Sequence, residues 1–165
     1  MSVNSELCPC GSNKSFAECC QPLLIGEKRA DTPEQLMRSR FTAFYRGDAW
    51  QYILATWHPE YRPAVSEAEL AEESRLAKWE KLEVRDTKID GNQGEVTFCA
   101  WYRDRQGLHP HLERSQFVRF EGEWVYTTGE FLPYSRAVKV KPNDPCPCGS
   151  GKNIRNAAAD DFFAE

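Results

Sequence analysis

Cys8-Pro9-Cys10 is followed, after eight intervening residues, by Cys19-Cys20. Four thiols on so short a loop have the chemistry of a closed metal site. Zinc takes four soft ligands in a tetrahedron, at about 2.3 Å from each sulfur. Pro9 restricts the backbone between the first two sulfurs, and Gly11-Ser12 lets the chain turn behind them. Phe16, the one large apolar side chain inside the loop, is expected to pack over the ion. About thirty residues cannot bury enough surface to fold alone, so the ion must supply most of the folding free energy. For structural zinc in small fingers that is roughly 10–16 kcal/mol apparent. Nothing suggests an open coordination position, so the expectation is one structural zinc per chain and not a catalytic one. Unligated thiols or a disulfide are the competing readings of the same sulfurs, and the spacing favours the metal.

The other end of the chain repeats the opening of this loop. Cys146-Pro147-Cys148-Gly149-Ser150 matches residues 8–12, Lys152 matches Lys14, and Ile154 stands where Phe16 does. The third and fourth ligands fall at positions 157 and 158, and both are alanine. Two thiolates leave the rest of the shell to water and hold zinc poorly. Residues 136–165 therefore read as a linker and a degenerate, mobile half-site, set off by the proline-marked stretch Pro133 to Pro145. The alternatives are that Cys146 and Cys148 complete a site on another chain or act as a redox pair. The seventh cysteine, Cys99, stands alone in mid-strand and reads as core.

The totals bound what the rest can be. With 165 residues, five Trp, six Tyr and nine Phe, the chain can build one real core with appendages. A net charge of −4 argues against general nucleic-acid binding, which needs a basic surplus. No apolar run approaches the roughly 20 residues that cross a bilayer. The polar start, MSVNSELCPC, lacks the layout of a secretory signal. Close-set cysteines serving as ligands suit a reducing compartment, so the expected location is cytoplasmic.

Residues 31–135 are read as the body that positions these groups. Thr32-Pro33-Glu34-Gln35 is a capping box with proline at the first helical position, opening a helix to about Arg46 that stops at Gly47-Asp48. A second helix runs from Ala49 to about Trp57, and a third from Ser66, capped by Glu69, towards Trp79. After Lys81 the apolar period becomes two. Strands are expected over 82–89, 95–103, 111–120 and 124–128, joined by short turns at Asp90-Gly91-Asn92, Gln106-Gly107 and Glu121-Gly122. Short turns between long strands make antiparallel neighbours, so the fold class is α+β. Val96, Phe98, Ala100 and Tyr102 share one face of the second strand.

The stretch CPCGSNKSFAECC (8–20) closely resembles the SEC-C motif, named for the C-terminus of the SecA translocation ATPase. The resemblance implies zinc at Cys8, Cys10, Cys19 and Cys20, and protein docking, since SecA's motif serves the chaperone SecB. The motif's usual basic middle is here Lys14-Ser15-Phe16-Ala17-Glu18, which weakens attraction to an acidic partner. The order of helices and strands resembles the cystatin-like fold of the nuclear-transport-factor-2-like superfamily, which implies a curved sheet and helices enclosing a cone-shaped pocket. Taken with LMRSRFTAF (36–44), TWHP (56–59), ERSQF (113–117) and the second CPCGSGK, the chain is similar to the YchJ family over nearly its whole length, departing only after Lys152. That family brings no established activity. The organisation expected is a knuckle over 1–30, the α+β domain over 31–135 and the tail over 136–165.

The pocket residues follow from helical geometry. Steps of about 100° per residue put Leu36, Met37, Phe41, Ala43 and Phe44 on one arc of the first helix, with Arg40 in its middle. Arg38 points the other way, to solvent with Thr42 and Tyr45. An arginine on an apolar face needs a carboxylate, and Glu113, beside Ser115 and Phe117, is the expected partner. Such a pair is more often scaffold than catalyst. His58 suits the dipole at its helix end and is a candidate for the pocket mouth; His109 and His111 could pair on a metal but read better as a surface hairpin loop, and Trp101, Trp124 and Tyr126 as sheet and pocket wall. No dyad, nucleophile motif or phosphate loop is present. The preferred function is a zinc-stabilised adaptor that docks a protein partner; the alternative is a pocket protein that binds or isomerises a small molecule.

Overall fold

Thr32 approaches the long helix in extended conformation and its side chain accepts the Gln35 backbone N–H at 3.1 Å. The reciprocal bond falls one residue early, with Gln35 Oε1 accepting from the Asp31 backbone N–H. In the computed structural model, which describes residues 6–133, the helices are α1 (Gln21–Leu24), α2 (Pro33–Arg46), α3 (Trp50–Ala55) and α4 (Glu67–Ser74). A 3-10 turn, Phe16–Glu18, precedes α1. The second knuckle, with Cys146 and Cys148, lies outside the described residues. Gly47 closes α2 in the left-handed region at φ 70°, where other residues are strained.

Four strands follow: β1 (Lys78–Asp90), β2 (Gln93–Asp104), β3 (Gly107–Phe120) and β4 (Glu123–Phe131). They form one open antiparallel sheet in the order β1-β2-β3-β4. Register shifts at Trp79/Lys81 and Val84/Asp86 in β1, and at Ser115/Phe117 in β3, mark where the strands bend. The helices pack on one face. Leu36, Met37 and Phe41 of α2 meet Leu82, Val96, Phe98, Phe117 and Trp124. The α+β expectation holds, with helices on an antiparallel sheet.

Several points differ from the sequence reading. The helix expected from Ser66, α4, ends at Ser74, and Trp79 joins β1 opposite Tyr102, with its ring edge-on to Phe41 and Tyr102. Tertiary packing there overrides a helix-competent sequence. β3 begins at Gly107 and runs through Pro110, so His109 and His111 are strand residues and not a loop. β4 pairs with β3 only from Glu113 onward, so Pro110 lies on an edge where its missing N–H costs nothing. β2 is also buried on both faces. Cys99 and Trp101, both 0 % exposed, form a second cluster with Leu108 and Leu112 on the face away from the helices. Trp101 is therefore in the sheet, as expected, but not in the pocket wall.

Gly94 sits where β2 meets the start of α2. A methyl group there would overlap Pro33 Cγ and come within 3.3 Å of the Trp124 ring. The proline ring cannot rotate away, so the helix itself must move. Gly94→Ala is expected to cost about 1–3 kcal/mol, read as a lower urea midpoint at unchanged slope. An unchanged midpoint would mean that the helix does not seat on this strand.

Candidate metal centre and adjoining cavity

Leu7 and Ser15 form an isolated antiparallel bridge, and the Cys8 backbone N–H donates to the Lys14 carbonyl at 2.8 Å. This small hairpin carries Cys8 and Cys10 over Gly11, whose φ is 81°. The 3-10 turn then delivers Cys19 and Cys20 to the same point. All four ligand sulfurs lie within 4.8 Å of one another. Cys10 Sγ is 3.6 Å from Cys19 Sγ, which is 3.9 Å from Cys20 Sγ. Four sulfurs held at about 2.3 Å around one ion stand about 3.8 Å apart, so these edges fit, whereas a disulfide needs about 2.05 Å. Phe16 is buried among the sulfurs, as its place in the loop predicts.

Without a cation, two of these thiols hold their protons more tightly than a free thiol does. Burial, opposed by a contact with Ser12, pushes the Cys19 thiol up to about 11. Cys20 is raised further, chiefly because it holds its proton towards Cys10 and then Cys8. The same contacts, from Cys20 and then Cys8, hold Cys10 far below the usual thiol range.

The base of the cluster comes from α2. Arg38 Nη1 donates to the Cys10 carbonyl at 2.6 Å while its Nε donates to Glu34 at 3.0 Å. Thr42 Oγ1 lies 3.3 Å from Cys20 Sγ and 3.8 Å from Cys8 Sγ. The Arg46 guanidinium sits 4.5 Å from the Phe16 ring centre. These residues, spaced by four, form one stripe along the helix. Arg38 and Thr42 thus do not face solvent as expected, because the knuckle occupies that side. Two arginines and a threonine at this spacing, just after a loop that needs a support, were the signal available. Thr42→Val removes the hydroxyl at nearly constant shape. It is expected to weaken metal binding about 10-fold, the low end for a group behind a ligand, measured by competition with a chromophoric chelator. Unchanged affinity would remove Thr42 from the centre.

The opposite side of α2 faces a cavity of about 230 Å³ between helices and sheet. Of the expected pocket residues, Arg40, Glu113, Ser115 and Tyr126 all line it. His58 does not: its ring packs on Phe120 and Tyr61, and its Nδ1 accepts the Glu60 backbone N–H. Trp57, Trp79 and His111 line it instead.

Arg40 does not pair with Glu113. Its Nη1 donates to the Ile53 carbonyl at 2.8 Å and to Thr56 Oγ1 at 2.7 Å. Its guanidinium lies 4.8 Å from the Tyr126 ring centre and 5.4 Å from that of Trp57. The Thr56–His58 segment pairs with Tyr126 through two backbone bonds of 2.8 Å, which brings both rings to Arg40. Desolvation lowers the Arg40 guanidinium to about 10, so it stays a cation at neutral pH. Glu113 is held elsewhere, accepting from Ser115 Oγ and lying 3.2 Å from His111 Nε2. Burial pushes the Tyr126 phenol up to about 12.

The family model described as "YchJ, middle NTF2-like domain" matches residues 32–129, and the SEC-C motif matches residues 5–22. The chain belongs to the YchJ family. A UPF0225 protein of Geobacter sulfurreducens is 42% identical over 156 residues, covering 92% of this chain and 96% of that protein. The UPF0225 protein YchJ of Shigella dysenteriae is 40% identical over 153 residues, with the same coverages of 92% and 96%. Among solved structures, a SEC-C motif containing protein from Rhodopseudomonas palustris aligns with TM-score 0.71 at 35% identity, over 76% of this chain and 98% of that one. Another, from Psychrobacter arcticus, aligns with TM-score 0.64 at 27% identity, over 96% and 98%. YchJ membership accounts for both halves of the arrangement, a SEC-C cysteine cluster positioned to bind a metal ion and a domain built on α2 and the sheet. Among the described residues, no helix is long and apolar enough to cross a membrane.

Proposed function

We propose that this YchJ-family chain is a zinc-binding adaptor of the cytoplasm. The knuckle, residues 1–30, docks a protein partner in secretion, chaperone or ribosome-associated work, and the α+β domain, residues 31–135, is its platform. The observation that carries this reading is the four-sulfur cluster, whose sulfurs suffice for a complete tetrahedral shell, with Cys8, Cys10 and Cys20 buried. Leu7 and Ile25, which flank it in sequence, are 65% and 61% exposed and offer apolar anchors to a partner. The test is metal analysis of the full chain with affinity capture and crosslinking from lysate, wild type against Cys19→Ala. One zinc per chain and a partner captured only by the intact knuckle are expected. Another resident metal, or capture indifferent to Cys19, would overturn the reading.

A second reading, that the middle domain binds a small molecule, is favoured by the apolar cavity and its buried arginine. It is independent of the knuckle.

A further inference from the structure

We propose that the cavity binds a flat carboxylate of single-ring size, with the carboxylate on the free edge of Arg40 and the ring among the aromatic walls. This rests on the second reading above and names its ligand class. Size comes first. A dry cavity of about 150 Å³ accepts benzene, so about 230 Å³ admits one substituted ring and little more. The walls around it are Phe41, Phe44, Trp57, Trp79 and Phe98, which suit a flat apolar body.

Charge decides the other end. Arg40 is 5% exposed, and among the described residues it forms no direct ion pair, Glu113 acting on it only through space. Nη1 donates to Ile53 and Thr56, whereas Nε and Nη2 donate to no described residue. A buried cation without a directly paired anion is costly, and that edge of a guanidinium matches the two oxygens of a carboxylate. The rings of Trp57 and Tyr126 hold the guanidinium in place, so little freedom is lost on binding. Glu113, the one acid in the lining, is already engaged by Ser115 and His111. Its charge repels a second carboxylate at its own end, which orients the ligand and disfavours diacids.

The metal-loaded full chain is titrated with benzoate, benzamide and toluene, followed by amide and arginine-side-chain NMR. Benzoate is expected to shift Arg40 Nε and the Tyr126 amide, and to bind about tenfold or more tighter than benzamide. Arg40→Met should abolish that preference while leaving toluene binding intact. Ala100→Leu, which fills the cavity from the sheet side, should abolish benzoate binding, and it carries the test should Arg40→Met misfold. Benzamide or toluene binding as tightly as benzoate overturns the carboxylate assignment but keeps the pocket reading. Failure of all three to bind, or binding unaffected by Ala100→Leu, overturns both.

Discussion

Replacing Cys10 with serine is expected to abolish metal binding at the four-sulfur cluster and to unravel residues 7–25, while the sheet stays folded. Cys10 is 0% exposed, its sulfur touches that of Cys19, and its carbonyl takes the Arg38 bond. A serine hydroxyl does not become an anion at neutral pH, so a closed shell loses a quarter of its charge and its softness together. Structural zinc sites contribute roughly 10–16 kcal/mol apparent, and the short loop has no core large enough to replace that. The sheet's own cluster, from Leu36 to Trp124, shares no residue with the sulfur cluster. Metal content by mass spectrometry should fall to nothing. Hydrogen exchange should rise in the knuckle and stay protected in β2 and β3. Stoichiometric metal in the Cys10→Ser protein would contradict the centre. Acid should mimic the mutation. Burial holds the Cys19 thiol at about 11 without metal, and Cys20 lies higher, so loading expels protons. Affinity must therefore fall as pH falls, read as progressive loss of metal on acid titration.

Phe117→Ala is expected to act in the opposite way, loosening the sheet and with it the seat of the knuckle. Phe117 is 1% exposed, lies opposite Gly94 on β2 and Tyr126 on β4, and packs in the cluster with Leu36, Val96 and Trp124. Its ring stands 5.8 Å from that of Tyr126, nearly edge to face. Truncating a buried phenylalanine costs about 3–5 kcal/mol, against a total stability of about 5–15 kcal/mol for a domain. Urea unfolding followed by tryptophan fluorescence should show the midpoint collapse, with the metal-bound knuckle losing protection at the same concentration. A cost below about 1 kcal/mol would mean that the centre of the core lies elsewhere.

The parts that could be read from the sequence were those set by local spacing. The four sulfurs, the caps at Thr32 and Ser66 and the turns of the meander depend on neighbours within a dozen residues. What escaped was decided by distant partners. Arg38 belongs to the polar side of an isolated helix and finds Cys10 only when the knuckle docks. Helical spacing puts Arg40 on the inner arc, where it lies, yet its bonds go to the end of α3, because Ser115 and His111 already engage Glu113. His111 was hidden by Pro110, which normally signals a loop and here marks a strand edge. Trp79 fits a helical stripe as well as a strand, and only Tyr102 across the sheet decides between them. The second buried face of β2 follows from neither period, since Cys99 and Trp101 alternate properly with a row that is itself apolar.

The long helix has no watery side through its middle. From Leu36 to Phe44 every residue is buried or half-buried, because the sulfur loop leans on one flank and the cavity opens on the other. Ordinary helices can exchange their outward residues almost freely, and this one has none to exchange over those nine positions. Such crowding ties nine consecutive side chains to fixed surroundings at once, because two neighbours press on one rod.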